Sequence, residues 1–260
     1  MEEAKKLQKT KRPSLFWLAT EMGRAVAELG MSLPYRKYLL KKYEGDGHPV
    51  IVLPGFMATE KSTKSMRDFI TKMGYTAYDW EMGRNVAKIK TLYNLFEKLE
   101  EIADKHGEEV TIIGWSLGGI YGRQMAKEKP ELVRQVITLG SPFRGINEPN
   151  NATWLYNLIS KGKRVIDIDA SLLADLPKPT PVPTTSIFSK QDGVVAWKTC
   201  MDEHETDIAQ NIQVRGSHIG LSVNATVLKI IADRLMYRKE NWRHFQTSNV
   251  VEELLFYPSF

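Results

Sequence analysis

Residues 110–119 read Val-Thr-Ile-Ile-Gly-Trp-Ser-Leu-Gly-Gly. The first four side chains are apolar or β-branched, a composition typical of a short strand that is buried on both faces of a parallel sheet. Residues 117–129 then have the pattern of a helix, which Pro130 ends. A buried strand that turns directly into a helix is the repeating unit of α/β proteins, so this stretch predicts an α/β fold.

The same alternation of short apolar runs and longer amphipathic runs continues along the chain on both sides. Further strands are predicted at 50–53, 75–80, 133–139, 184–189 and 211–215, and further helices at 61–73, 86–103 and 221–235. Strands that alternate with helices favour parallel pairing. We therefore expect one mostly parallel sheet of about six strands, flanked by helices.

A long segment, residues 144–183, interrupts this alternation. It holds a polar turn, a predicted helix at 152–160 and a proline-rich run from 177 to 183. Insertions of this length between two strands of a compact sheet are usually functional. We expect residues 144–183 to form a helical cap, or lid, over the ends of the strands.

The composition excludes several classes of protein. The 260 residues are 42% hydrophobic and 26% charged, which predicts a folded chain. No apolar run approaches the about 18 residues that a membrane-spanning helix needs. The single cysteine, Cys200, cannot form an internal disulfide, which fits a reducing compartment. We expect a cytoplasmic protein, with peripheral membrane association as an open alternative.

The net charge of +5 is concentrated near the N-terminus. Residues 1–43 carry ten basic and four acidic side chains, whereas residues 44–260 carry 26 basic and 27 acidic ones. A nearly neutral body argues against a surface that follows nucleic-acid phosphates. We divide the chain into a basic N-terminal arm, residues 1–46, and a main domain, residues 47–260.

The arm contains a predicted amphipathic helix at 14–29, with Ser14 as its N-cap and Gly30 as its end. Glu21 interrupts the apolar run too early for a secretory signal. Three interpretations stay open: residues 1–30 dock on an anionic membrane surface, they line the entrance to a pocket, or the helix packs on the domain beside a solvated basic tail. The sequence does not predict an oligomeric state.

Ser116 is the sharpest chemical signal in the chain. It is the central residue of a Gly-x-Ser-x-Gly motif that lies between a predicted strand and a predicted helix. That context predicts a nucleophile elbow, a strained turn that lifts the serine Oγ clear of the sheet while the flanking glycines leave room for neighbouring backbone. The helix N-terminus favours developing negative charge. A glycine-rich turn that only packs the helix on the sheet is the alternative.

A serine nucleophile needs a base, and His218 is the candidate. It follows the last predicted strand and precedes the last predicted helix, which places it at the same carboxyl edge of the sheet as Ser116. The other histidines lie at the amino end of a strand, at a helix end, in an acidic stretch and in the C-terminal tail. We predict surface or capping roles for these four: His48, His106, His204 and His244.

Asp192 is the candidate for the carboxylate that orients the base. It follows the strand 184–189 directly, again at the carboxyl edge. The resulting chain order of serine, acid and histidine is the one expected for a nucleophile elbow in this type of sheet. An ordinary Asp-Gly turn is the alternative for Asp192. Three aspartates of the lid segment are rivals for the role: Asp167, Asp169 and Asp175.

Acyl chemistry also needs hydrogen-bond donors for an oxyanion. The N–H of Leu117, directly after Ser116, is one candidate, and the N–H of Phe56, in the loop after the strand 50–53, is the other. Apolar side chains near these positions would line a substrate pocket. The candidates are Met57, Trp115, Phe143, Trp154, Leu155 and Leu158.

Taken together, these residues resemble the α/β-hydrolase family, in particular its bacterial serine esterases and lipases. The resemblance covers residues 49–235 of the chain. It rests on Val-Leu-Pro-Gly-Phe at 52–56, Ile-Gly-Trp-Ser-Leu-Gly-Gly at 113–119, Leu-Gly-Ser-Pro-Phe at 139–143, Ser-Lys-Gln-Asp-Gly-Val-Val at 189–195 and Gly-Ser-His-Ile-Gly-Leu at 216–221. The chain departs from the common lipase pattern in its short front end and at Pro54-Gly55, which stands in place of His-Gly.

The resemblance implies the α/β-hydrolase fold and hydrolysis of a carboxylic ester through an acyl-enzyme. Ser116 would attack the carbonyl, His218 would take its proton, and Asp192 would stabilise the imidazolium. This chemistry requires no metal ion and no organic cofactor, and the expected substrate is a small-molecule ester or a lipid-like acyl compound. Two alternatives stay open: the same triad in an acyltransferase or thioesterase, and a ligand-binding member of the fold without turnover.

Overall fold

The structure is a computed structural model, and it describes residues 11–145, 174–247 and 256–258. Most of the predicted lid, including the helix expected at 152–160, lies outside these described residues. The lid therefore stays a prediction. Within the described ranges, none of the helices combines the length and the apolar composition of a membrane-spanning segment.

The described part of the chain contains a sheet of six strands, and every pair of neighbours is parallel. In chain order the strands are β1 Gly47–Leu53, β2 Tyr75–Tyr78, β3 Val110–Trp115, β4 Val133–Leu139, β5 Thr184–Ser189 and β6 Ala209–Val214. Their order across the sheet is β2-β1-β3-β4-β5-β6. The prediction of a parallel sheet of about six strands is confirmed.

Helices cover both faces of this sheet. They are α1 Leu15–Lys42, α2 Glu60–Lys72, α3 Ile89–His106, α4 Leu117–Glu128 and α5 Ala225–Arg234. Successive residues of a strand point to opposite faces, and β1 shows the result. Val50 and Val52 pack in a core cluster with residues of α2 and α5, whereas Ile51 and Leu53 pack in a second cluster with residues of α3 and α4. Both faces of β1 are therefore buried, as its unbroken apolar run predicts.

Several predicted boundaries shift for identifiable reasons. β2 ends at Tyr78 rather than at residue 80, because Asp79 Oδ1 accepts the N–H of Glu81 at 3.0 Å and turns the chain. The final helix begins at Ala225 rather than at residue 221, because Asn224 is its N-cap and accepts two backbone N–H groups.

His48 is a correction to the predicted surface or capping role. Its ring is fully buried at the start of β1, with Nδ1 2.5 Å from Asp46 Oδ1 and Nε2 3.0 Å from Thr111 Oγ1. Burial and the nearby charge of Arg134 lower the pKa of His48 to about 4, against the opposing influence of Asp46. Its position at the amino end of the sheet still separates it from the carboxyl-edge loops.

Helix α1 is a second correction, because it does not end at Gly30. It continues to Lys42 and contains Pro34. Proline has no N–H to give to the carbonyl four residues earlier, which belongs here to Gly30. Gly30 is exposed, so water can hydrate that carbonyl, and Leu39 packs its side chain into the core to hold the last turns. The tertiary contact thus overrides the local stop signals.

A buried ion pair joins α4 to the loop after β5. Nη1 and Nη2 of Arg123 donate to the two oxygens of Asp202, at 3.1 and 2.7 Å. Ser186 Oγ also donates to Asp202, at 2.9 Å. Arg123 and Asp202 are both almost fully buried. Each charge is therefore balanced only by the partners that surround it.

We predict that Asp202→Ala lowers the free energy of unfolding by about 3–5 kcal/mol, because it leaves the buried Arg123 cation without its carboxylate. Urea unfolding followed by circular dichroism measures the loss. Glu203→Ala is the matched control: the Glu203 side chain is 68% exposed and pairs with Arg144 at 3.3 Å, so its loss should be below about 1 kcal/mol. Equal losses of unfolding free energy in the two variants would contradict the stabilising role of the buried Arg123–Asp202 ion pair.

Candidate active site

Ser116 occupies a strained turn between β3 and α4. Its backbone has φ 53° and ψ −120°, a conformation that residues other than glycine rarely adopt. Two hydrogen bonds hold the turn: the Ser116 N–H donates to the carbonyl of Leu139 at 2.8 Å, and the Gly119 N–H donates to the carbonyl of Ser116 at 3.0 Å. An observed strain of this kind is a reason to look for function at the residue that carries it.

The glycines of the motif make the turn sterically possible. A Cβ on Gly114 would lie 2.3 Å from the backbone of Gly119, and a Cβ on Gly118 would lie 2.4 Å from the carbonyl oxygen of Leu53. Neither contact can be relieved by a side-chain movement, because both partners are backbone atoms. These two positions therefore need glycine for close packing of α4 against β1 and β3.

Asp192 and His218 form a buried hydrogen-bonded pair. Oδ2 of Asp192 lies 2.6 Å from Nδ1 of His218. The other carboxylate oxygen, Oδ1, accepts the N–H groups of Val194 and Val195, both at 2.8 Å. The carboxylate is thus fixed by its own loop, and it fixes one nitrogen of the imidazole in turn.

Two contacts bring this pair to the serine turn. Nε1 of Trp115, the residue before Ser116, donates to the carbonyl of His218 at 3.0 Å. A Cβ on Gly140 would lie 3.1 Å from His218 Nδ1 and 3.3 Å from Asp192 Oδ2. Gly140 directly follows the residue that accepts the Ser116 N–H. These contacts place the Asp192–His218 pair beside the Ser116 turn at the carboxyl edge of the sheet.

The surroundings of His218 favour the protonated ring. Burial lowers the pKa of His218, whereas the charge of Asp192, its hydrogen bond to the ring and, more weakly, the charge of Glu21 raise it. The net effect raises the pKa of His218 above its ordinary value. A neutral imidazole in this setting is a good acceptor for a proton.

The loop after β1 lies directly beside Ser116. A Cβ on Gly55 would lie 3.2 Å from the Ser116 Cβ. Phe56 and Met57 follow, both half-buried, as are Trp115 and Leu117 on the other side of the serine. The residues on both sides of Ser116 and those of the loop beside it are therefore apolar and partly accessible.

Asn85 is a site residue that the sequence reasoning missed. Its side chain is buried, and its Nδ2 donates to the carbonyl of Pro54 at 2.9 Å. Its carbonyl accepts the N–H of Met57 at 2.7 Å, and its N–H donates to the carbonyl of Ala58. Asn85 therefore fixes the loop that carries Phe56. A single asparagine in a polar loop gives no sequence signal for this role.

Glu21 of α1 is the second missed residue. Its carboxylate is buried, and Oε1 accepts the N–H of His218 at 3.1 Å. In the sequence it counts only as a charge that interrupts an apolar run. A charged residue in the middle of an amphipathic helix carries no sign of what it faces.

The remaining candidates fall into two groups. Phe143 is buried against Ile120 and Leu176, with the Arg123 guanidinium 3.7 Å from its ring centre. Asp175 pairs with Lys127 at 3.0 Å and Lys178 at 3.3 Å. The other candidates of the lid segment lie outside the described residues: Trp154, Leu155, Leu158, Asp167 and Asp169.

The other histidines are engaged elsewhere or exposed. His106 lies in the last turn of α3 and contacts the Tyr78 hydroxyl at 2.8 Å, His204 is exposed, and His244 contacts the carbonyl of Thr206 at 2.8 Å. Among residues 11–145, 174–247 and 256–258, no cluster of three or more His, Cys, Asp or Glu side chains could hold a metal ion.

Comparisons with known proteins agree on the fold. Aspergillus fumigatus lipase B superposes with a TM-score of 0.58 at 17% identity, over 74% of this chain and 53% of the lipase chain. The mature Bacillus licheniformis lipase BlEst2 superposes with a TM-score of 0.54 at 17% identity, over 72% of this chain and 91% of the lipase chain. The thioesterase domain from the curacin biosynthetic pathway superposes with a TM-score of 0.52 at 11% identity, over 74% of this chain and 92% of that domain. The chain thus spans about half the length of the Aspergillus lipase.

No curated protein sequence matches the chain. The family of palmitoyl protein thioesterases does match, over residues 49–211. That region holds more than half of the chain and includes Ser116 and Asp192, although it ends before His218. The chain has the α/β-hydrolase fold and belongs to the palmitoyl protein thioesterase family of hydrolases.

Proposed function

We propose that the protein is a serine hydrolase that cleaves lipid-like acyl thioesters and esters through a covalent acyl-enzyme. Ser116 is the nucleophile, His218 the general base and Asp192 the carboxylate that orients the base. The observation that carries this proposal is the 2.6 Å contact between Asp192 and His218, beside a serine held at a strained strand-to-helix turn.

In the first step, Ser116 Oγ attacks the acyl carbonyl while Nε2 of His218 takes the hydroxyl proton. Asp192 accepts the hydrogen bond of Nδ1–H and stabilises the imidazolium that forms. The N–H groups of Leu117 and Phe56 stabilise the oxyanion. Leu117 lies in the first turn of α4, where N–H groups have no carbonyl partner within the helix, and Phe56 lies in the loop against Ser116.

The tetrahedral intermediate then collapses, and the bond between the carbonyl carbon and the leaving group breaks. His218 gives its proton to the departing thiol or alcohol. Water repeats the sequence in the second step: His218 removes its proton, the hydroxide adds to the acyl carbon, and Ser116 leaves with the proton restored. The acid product and the free serine complete the cycle without any further group.

Two observations support an apolar acyl group and a sulfur leaving group. The residues next to Ser116, Trp115 and Leu117, and Phe56 and Met57 of the loop beside it are apolar and half-buried, which favours an alkyl chain over a charged one. The family to which the chain belongs is named for thioesterases that act on palmitoyl protein. A thioesterase is also one of the alternatives that the triad alone leaves open.

We predict that Ser116→Ala lowers kcat at least about 10³-fold, because it removes the group that forms the acyl-enzyme. The measurement compares p-nitrophenyl esters with matching N-acetylcysteamine thioesters, from acetyl to palmitoyl, at equal protein concentration. Long chains and thioesters should give the higher kcat/KM.

Ser62→Ala is the control for this series, because Ser62 lies on α2 and its Oγ donates to the carbonyl of Thr59 in the same helix turn. Circular dichroism verifies that both variants are folded. Turnover that survives Ser116→Ala unchanged would exclude the proposed nucleophile, and a preference for charged acyl groups would exclude the lipid-like substrate.

The pH profile should report His218, because only the neutral ring can take a proton. Burial lowers the pKa of His218, whereas Asp192 and Glu21 together raise it, and the net effect is a pKa above the ordinary histidine value. Activity should therefore fall as the pH drops through a pKa above the ordinary histidine value. We predict that Asp192→Asn moves this acid limb of kcat/KM to lower pH and lowers kcat by about 10³–10⁴-fold.

Asp175→Asn is the matched control for this prediction, because Asp175 pairs with lysines rather than with a histidine. It should leave both the acid limb and kcat unchanged. An acid limb that does not move in Asp192→Asn would show that Asp192 is not the orienting carboxylate.

We also propose that the outer face of α1 docks on an anionic membrane surface. Large apolar side chains on this face are more than half exposed: Leu15, Phe16, Met22, Val26, Met31 and Leu33. Exposed apolar surface of this extent on one helix is unusual for a face that meets only water.

The charges of α1 favour a partner with negative headgroups. Its two acidic side chains, Glu21 and Glu28, are buried. The charged side chains that reach the surface between residues 11 and 42 are basic: Lys11, Arg12, Arg24, Arg36, Lys37, Lys41 and Lys42. An apolar face flanked by cations is the pattern of helices that lie in a membrane interface.

We predict that the protein sediments with vesicles that contain phosphatidylserine and that Phe16→Glu with Val26→Glu weakens the binding at least about tenfold. Tyr93→Glu is the control, because it places the same charge on an exposed aromatic position of α3. Equal sedimentation of all variants, or none of the wild type, would contradict the proposal. A dimer that the α1 variants dissociate, without vesicle binding, would assign the face to a second copy instead.

A further inference from the structure

The buried face of α1 carries polar as well as apolar side chains, with Glu21, Glu28 and Ser32 beside Ala25 and Leu39. The most deeply buried acidic residue on it is Glu21, whose side chain is 3% exposed. Burying a carboxylate is costly unless hydrogen bonds and charge replace the lost water. The hydrogen bonds of Glu21 therefore show what this helix is built to hold.

The Glu21 carboxylate accepts backbone N–H groups from both catalytic loops. Oε1 accepts the N–H of Gly193, directly after Asp192, at 2.9 Å. The same oxygen accepts the N–H of His218 itself at 3.1 Å, and Oε2 accepts the N–H of Ile219 at 3.0 Å. One side chain thus ties the loop after β5 to the loop after β6, at His218 itself and at Gly193, the residue directly after Asp192.

Glu28 repeats the arrangement two helical turns later. Its Oε1 accepts the N–H of Ser217 at 2.8 Å, and its Oε2 accepts from Nδ2 of Asn224 at 3.0 Å. Asn224 also donates to the carbonyl of Arg215 at 3.0 Å. The whole loop from 215 to 224 is therefore fastened to α1 through carboxylate oxygens.

Glycines in both loops make this close approach possible. A Cβ on Gly193 would lie 2.4 Å from the backbone of Trp17 and Leu18, and a Cβ on Gly220 would lie 2.2 Å from Glu28 Oε2. Gly193 follows Asp192 directly, and Gly220 comes two residues after His218. The absence of a side chain at these two positions thus lets both loops approach α1 closely.

The charge of Glu21 is balanced locally. Nη2 of Arg24 donates to Glu21 Oε1 at 2.9 Å, and the Arg24 guanidinium also lies over the Trp17 ring at 4.8 Å. The neighbouring ionisable groups of the catalytic loops are Asp192 and His218. The negative charge of Glu21 raises the pKa of His218, after the larger effects of burial, which lowers it, and of Asp192, which raises it.

We propose that Glu21 is a positioning residue for the Asp192–His218 pair and that the docked helix α1 is an integral part of the active site. This inference rests on the proposed function. The Asp192 and His218 loops come from different strands, and no covalent link fixes one against the other. Glu21 fixes both from outside, so that the imidazole stays in reach of Ser116.

The test compares Glu21→Gln and Glu21→Ala with wild type in the full chain. Glutamine keeps an acceptor for the Oε1 contacts but removes the charge, so kcat should fall about tenfold, KM should stay within about twofold, and the acid limb of kcat/KM should move to lower pH. Alanine removes the acceptors as well, and kcat should fall about 100-fold.

Leu39→Ala is the matched structural control. It removes a fully buried apolar side chain of the same helix, far along α1 from the catalytic loops. It should lower the melting temperature at least as much as Glu21→Gln does, yet leave kcat and the acid limb unchanged. An unchanged kcat in folded Glu21→Gln would overturn the proposal. So would a loss of kcat that Leu39→Ala reproduces without any movement of the acid limb.

Failure of the proposed function gives a different result. Wild type would then not react with a fluorophosphonate probe, whatever residue stands at position 21. The positioning role is decided in that case by nuclear magnetic resonance titration of the His218 imidazole. A lower pKa of His218 in Glu21→Gln supports the contact, and an unchanged pKa overturns it.

Discussion

Ser116 is held in a backbone conformation that costs about 1–3 kcal/mol for a residue with a side chain, and much of the surrounding packing serves to maintain it. The Ser116 N–H is fixed on the last residue of β4, and glycines on both sides let α4 pass close to β1 and β3. This conformation places Ser116 at the N-terminus of α4, where the helix dipole stabilises a developing negative charge. A looser turn would relieve the strain but would lose this position.

The parallel sheet determines which residues can meet this serine. All six strands point the same way, so the loops after β1, β3, β5 and β6 emerge at one edge. Asp192 and His218 come from two of these loops and meet at 2.6 Å. Helix α1 contacts both of these loops through buried carboxylates, in addition to the apolar contacts that Leu39 makes in the core.

The sequence was most informative where one local pattern decided both structure and chemistry. β4 and β5 have the predicted bounds, and the elbow at Ser116 follows from a strand, two glycines and a helix within ten residues. The positions of Ser116, Asp192 and His218 shortly after predicted strands placed them at one edge, because the carboxyl ends of parallel strands lie at the same edge of a sheet.

The sequence was least informative where contacts between residues far apart in the chain determine where a helix ends or which side chains are buried. Gly30 and Pro34 are local signals for a helix end. Helix α1 nevertheless continues to Lys42, because Leu39 packs in the core and stabilises its last turns. An amphipathic pattern also does not say which face is inside, and in α1 the apolar face is exposed while Glu21 and Glu28 are buried. His48 and Asn85 are buried through partners that lie far away in the chain, Thr111 and Pro54.

Trapping the acyl-enzyme is the most direct test of whether Ser116 is the nucleophile. The protein is mixed with a p-nitrophenyl palmitate analogue and quenched in acid within the first turnover, and its peptides are then analysed by mass spectrometry. We expect a burst of about one p-nitrophenolate per active chain and an acyl group on the peptide that contains Ser116. Turnover without a burst, or an acyl group on any other residue, would contradict it.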